Sequence, residues 1–94
     1  MNLEFKPEAE DALFEMGMWV EKRNTSESGI RFINKFIDKI SRYALPDAVY
    51  LLCKNQALAE RQLCYIAIND WVVAFKKTKK EFVVFYILYG PGLR

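Results

Sequence analysis

Phe82-Val83-Val84-Phe85-Tyr86-Ile87-Leu88-Tyr89 runs for eight residues without a polar break. Every residue in it is β-branched, aromatic or leucine, which fits a strand covered on both faces better than a half-exposed one. Regular alternation puts Phe82, Val84, Tyr86 and Leu88 on one face and Val83, Phe85, Ile87 and Tyr89 on the other. Gly90-Pro91-Gly92 stops the run. A strand with two apolar faces needs two covers, and a chain of 94 residues has little left for the second, so a partner segment is expected there.

Two further strand patterns precede it. Residues 63–68 and 71–75 read as strands, and Asn69-Asp70 between them reads as a two-residue hairpin turn. Lys76-Lys77-Thr78-Lys79-Lys80-Glu81 forms a basic turn into the last strand. Earlier in the chain the period changes to that of helices. Ala9, Ala12, Leu13, Met16, Trp19 and Val20 make an apolar stripe behind Pro7, with Glu8, Glu10 and Asp11 at the favourable end of the helix dipole. After the polar break at 24–29, Phe32, Ile33, Phe36, Ile37, Ile40 and Ala44 make a second stripe, backed by Arg31, Lys35, Lys39 and Arg42 on a solvated side. Leu45-Pro46-Asp47 ends it. Helices are expected over 8–23 and 29–44, and a short strand at Leu3-Glu4-Phe5. Residues 48–60 read either as a strand over 48–53 or as an irregular link. The order β-α-α-β-β-β predicts one α+β domain over 1–94, with two antiparallel helices packed on one face of a mostly antiparallel sheet. Trp19 and Trp71 are expected in its core.

Composition narrows the function classes. A hydrophobic fraction of 52% excludes a disordered chain, and no apolar run reaches the length of a membrane span. The start Met1-Asn2-Leu3-Glu4-Phe5 lacks the pattern of a signal peptide, so a cytoplasmic protein with no membrane association is expected. Cys53 and Cys64 have neither CxxC spacing nor metal-site company, which predicts free thiols, at least one of them buried. There is no histidine, so the commonest general base and the commonest zinc ligand are both missing; no metal and no cofactor are expected. Net charge is +2, but residues 1–28 carry three basic and seven acidic groups while residues 29–94 carry eleven and five. That asymmetry fits either a face for an anionic partner or an uneven solvated surface.

The ordered motifs resemble those of the RelE/ParE toxin superfamily. Phe5-Lys6-Pro7-Glu8-Ala9 with Asp11 and Leu13 is similar to the family's opening strand and helix start. Trp19 falls where these toxins often carry an aromatic residue on the first helix. Gly29-Ile30-Arg31-Phe32 and Leu45-Pro46 resemble the two ends of its second helix. Glu60-Arg61-Gln62-Leu63, Trp71-Val72-Val73-Ala74-Phe75-Lys76 and Ile87-Leu88-Tyr89-Gly90-Pro91-Gly92-Leu93-Arg94 resemble its second, third and last strands. The resemblance implies the toxin of a type II toxin–antitoxin system, a growth inhibitor wrapped by a cognate antitoxin. RelE-like members cleave mRNA on the ribosome without a metal; ParE-like members poison DNA gyrase. A decayed toxin that only binds its antitoxin is the third reading. A homodimer or a hetero-oligomer with antitoxin is compatible with each.

Metal-free RNA cleavage needs phosphate positioning, charge stabilisation and proton transfer. The resemblance implies Arg61, Tyr89 and Arg94 as the catalytic set, converging on the open sheet face, with Glu60 as a further base. Lys54, Lys76, Lys77, Lys79 and Lys80 are the RNA-binding candidates. Two departures bear on this set. The third strand reads Trp71-Val72-Val73-Ala74 where RelE-like nucleases are strongly basic, and the sequence ends at Arg94, so their later C-terminal tyrosine is expected to have no counterpart.

Overall fold

A computed structural model describes residues 1–25 and 27–90. Its elements are β1 (Asn2–Phe5), α1 (Pro7–Arg23), α2 (Ser28–Ser41), α3 (Gln56–Glu60), β2 (Cys64–Ile68), β3 (Trp71–Lys77) and β4 (Glu81–Tyr89). The eight-residue apolar run becomes an interior strand. The sheet order is β1-β4-β3-β2, so β4 is hydrogen-bonded on both sides. β1 joins it in parallel, with Leu3 opposite Phe82 and Phe5 opposite Val84; the other two pairings are antiparallel. The sheet is therefore mixed.

Local sequence accounts for the elements. Pro7 opens α1, Glu8 and Glu10 lie in its first turn, and Lys22 and Arg23 close it. Asn69 takes a left-handed φ of 55° in the β2–β3 turn, a conformation that asparagine tolerates. α2 ends at Ser41, one turn before the expected limit, and the chain continues through turns to Pro46. The segment left open at 48–60 contains α3, started by Asn55, whose side-chain oxygen accepts the Leu58 N–H at 3.3 Å. Before it, Leu52 bridges Cys64 at the sheet edge.

The main core lies between the helices and one sheet face. Ala9, Leu13 and Met16 of α1 and Phe36 and Ile40 of α2 pack on Ile66, Ile68, Val73, Phe75, Phe82, Val84 and Ile87. Phe75 and Phe82 stack with centroids 4.1 Å apart and are wholly buried. Trp71 borders this core, edge-on to Phe36. Trp19 does not join it: it is 57% exposed on α1, with Arg23 lying over its ring at 4.1 Å.

The alternation expected along β4 breaks in the middle. Phe75 pairs with Val84 but Ala74 pairs with Tyr86, so Phe85 is the extra residue of a β-bulge. Beyond it the faces exchange. Phe82, Val84 and Ile87 meet the helices, while Phe85 and Tyr86 belong with a second cluster around Cys53, Leu63 and Ala74. Leu58 of α3 packs onto that cluster, so the chain covers part of its own second face.

The helices meet at two glycines. A Cβ on Gly29 would stand 2.5 Å from the Gly17 carbonyl oxygen and 2.6 Å from Glu21 Cγ; one on Gly17 would meet the Ile33 Cδ1 at 2.5 Å. Backbone cannot yield as a side-chain tip can. Gly29→Ala is therefore expected to destabilise the fold by about 1–3 kcal/mol, as overpacking does, and Gly17→Ala by less. Urea unfolding of the two variants beside the parent checks the order.

Candidate functional site

On the sheet face away from the helices, three cations from three separate parts of the chain surround one ring. Lys6 lies between β1 and α1, and its backbone N–H bonds the Val84 carbonyl at 2.8 Å, which fixes it beside β4. Lys76 stands on β3 opposite Val83. Arg61 follows α3, where Gln62 reverses the chain with a φ of 60° and its N–H returns to the Ala59 carbonyl at 2.8 Å. The Lys6 Nζ, the Arg61 guanidinium carbon and the Lys76 Nζ lie 5.5, 5.7 and 5.6 Å from the centroid of Phe85, the bulge residue. Arg61 also lies 5.2 Å from the Tyr86 centroid and donates from Nη1 to the Tyr86 hydroxyl at 2.5 Å. Tyr86 has Ala74 opposite it on β3.

Among the described residues no ion pair reaches the cluster, although Glu4 shares its face: it stands opposite Val83, as Lys76 does, and its carboxylate accepts from Asn2 Nδ2 at 3.0 Å. Among the described residues the ion pairs are Arg31–Glu27 and Arg42–Asp38, both exposed on the side of α2 predicted to be solvated. Glu60, next to Arg61, accepts from Gln56 Nε2 instead. Three unpaired cations around an aromatic ring suit an anion that carries a flat or apolar group. The Tyr86 hydroxyl accepts from Arg61 and keeps its own hydrogen for donation outward. Burial pushes the nearby Cys53 thiol up from its ordinary value, and Cys64 adds to this, so Cys53 stays protonated and is a poor nucleophile. Both cysteines are free.

Of the residues expected to act, Arg61 and Lys76 meet here. Tyr89 does not. The bulge turns it to the helix side, where its ring stands edge-on to Trp71 at 4.9 Å, so it cannot share a phosphodiester with Arg61. Arg94 lies outside the described residues. Lys54 sits just before α3 and lines a small crevice with Cys53, Leu58 and Tyr65. Lys77 donates to the Pro46 carbonyl at 2.8 Å and ties the hairpin to the segment after α2. Lys79 and Lys80 are exposed in the turn, where the Thr78 hydroxyl accepts the Lys80 and Glu81 N–H groups. Among the described residues no group of three or more His, Cys, Asp or Glu side chains is placed to hold a metal ion. Lys6, Phe85 and Tyr86 were not singled out by sequence.

A second surface lies on the helix side. Met16, Trp19, Phe32, Trp71, Ile87 and Tyr89 line an apolar groove of about 570 Å³, with Trp19 and Tyr89 mostly exposed at its rim.

The left-handed Gln62 is the strained point of the loop that presents Arg61. Gln62→Gly is expected to stabilise the fold by about 0.5–1 kcal/mol, because glycine adopts that conformation without a Cβ penalty. Thermal unfolding measures it. A comparison with known proteins finds no family model that matches the chain and no matching curated protein.

Proposed function

We propose that this chain is the toxin of a type II toxin–antitoxin pair of the RelE/ParE kind, and that its open sheet face engages RNA. The observation that carries the reading is the cluster of Lys6, Arg61 and Lys76 around Phe85, with none of the three in an ion pair among the described residues. A phosphodiester would sit among the three cations, with Arg61 offering its planar fork and Tyr86 a hydroxyl hydrogen to a departing oxygen. On this reading the chain is a metal-independent mRNA endonuclease acting at the ribosome, in which Arg61 keeps its expected role and Tyr86 takes the place of Tyr89, while Arg94 lies outside the described residues. A cognate antitoxin would cover the apolar groove between α1 and the ends of β3 and β4, where Trp19 and Tyr89 are exposed.

One observation favours a second reading. The chain has no histidine, and among the described residues no carboxylate forms an ion pair with the cluster: Glu60 accepts from Gln56 and Glu4 from Asn2, so no base is in contact with the cations. Such a face binds without cutting, as a ParE-like inhibitor of DNA gyrase or a decayed toxin would.

Inducing the chain alone in bacteria and following amino-acid and thymidine incorporation separates these readings. Under the proposal translation stops first, and co-expression of the antitoxin restores growth. Arg61→Ala is expected to reduce cleavage at least about tenfold, equivalent to 1.4 kcal/mol of transition-state stabilisation; Tyr86→Phe is expected to reduce it while leaving antitoxin binding unchanged. Replication stopping first would favour gyrase inhibition, and harmless expression of folded chain would favour a decayed toxin.

A further inference from the structure

The segment 48–53 carries a feature that the proposed function leaves unused. Cys53 N–H donates to the Leu63 carbonyl at 2.8 Å and Tyr65 N–H to the Leu51 carbonyl at 3.1 Å. These bonds bracket the Leu52–Cys64 bridge, so residues 51–53 lie against β2 at the sheet edge through a single bridge. In that pattern the N–H and C=O of Leu52 point away from β2, and among the described residues neither is bonded. Apolar side chains accompany this open edge: Val49 is 94% exposed, Leu51 73% and Leu52 53%.

Edge strands usually carry a charge, a proline or a cover that blocks pairing. Residues 48–53, Ala-Val-Tyr-Leu-Leu-Cys, carry no charge and no proline. The opposite edge differs, since β1 bears Glu4 and is followed by Lys6 and Pro7. Charge appears only at the two ends of the segment, Asp47 before it and Lys54 after it, both exposed. An antiparallel copy brings the acidic end of one strand towards the basic end of the other at both ends, whereas a parallel copy brings like charges together.

We infer that the edge at 48–53 is a self-association surface, on which a second copy of this chain adds its own 48–53 segment antiparallel about a two-fold axis. Backbone bonds from Leu52 extend the sheet across the axis, and Val49 and Leu51 of both copies lose contact with water.

Sedimentation equilibrium of the purified full chain tests this, with urea unfolding to show that each variant folds. The parent is expected at twice the monomer mass at micromolar concentration. Leu51→Lys places a charge where the copies meet, and Leu52→Pro removes an N–H that the monomer does not use. Each is expected to weaken association at least about tenfold. Val49→Lys is the substitute should either fail to fold. Phe14→Lys, at an exposed position on α1, is expected to leave the dimer intact. A parent that stays monomeric at hundreds of micromolar overturns the inference. So does a dimer that the edge variants leave equally tight, or one that Phe14→Lys dissolves.

Discussion

β4 is bonded to β1 on one side and β3 on the other, and both of its faces carry apolar side chains against the rest of the chain. The element that must be buried twice fixes where everything else can go. The helices take the face of Phe82, Val84 and Ile87, which leaves Phe85 and Tyr86 to the segment that contains α3. The single bulge at Phe85 makes both faces workable. Without it, Tyr86 would point at the helix side and Ile87 at the other. With it, the apolar Ile87 enters the main core and the phenol of Tyr86 reaches Arg61.

Most of the architecture is legible in the residues. The helical stripes, the Asn69-Asp70 turn and the interior character of β4 follow from period and composition. The third helix had a local signal: Asn55, a good N-cap, precedes Gln56-Ala57-Leu58-Ala59-Glu60, all sound helix formers. Its five residues are too short for a visible period, so the cap was the only mark. The parallel β1–β4 pairing has no local signal, because β1 reaches the last strand across nearly the whole chain.

The site is less legible for the same reason as the bulge. Nothing in Phe82-Val83-Val84-Phe85-Tyr86-Ile87-Leu88-Tyr89 marks which residue is extra, since all eight suit either face. A one-residue offset reverses every later side chain, and Tyr89 was lost from the site by that offset. The run of lysines at 76–80 draws attention by its density, yet Lys77 is spent on the Pro46 carbonyl and only Lys76 joins the cluster. Lys6, isolated in an acidic stretch, has no such density and is brought in by β1 pairing with β4.

Energetics bear on what the cluster is for. A cation over an aromatic ring at an exposed site contributes about 0.5–1 kcal/mol. The three cations each lie within 5.7 Å of one centroid, so no two are farther apart than about twice that distance. That spacing is comparable to the Debye length of roughly 8–10 Å at physiological salt, so their mutual repulsion is only partly screened and offsets much of the gain. Stability alone therefore gives little reason to gather three cations around Phe85 with no carboxylate paired to them. An anionic ligand reverses the balance, because it turns the repulsion among the cations into attraction to a common charge. The fold brings their backbones to one sheet face, and the Tyr86 hydroxyl holds the guanidinium of Arg61, so an anion arriving there would meet cations already gathered and less of its binding energy would go into ordering them.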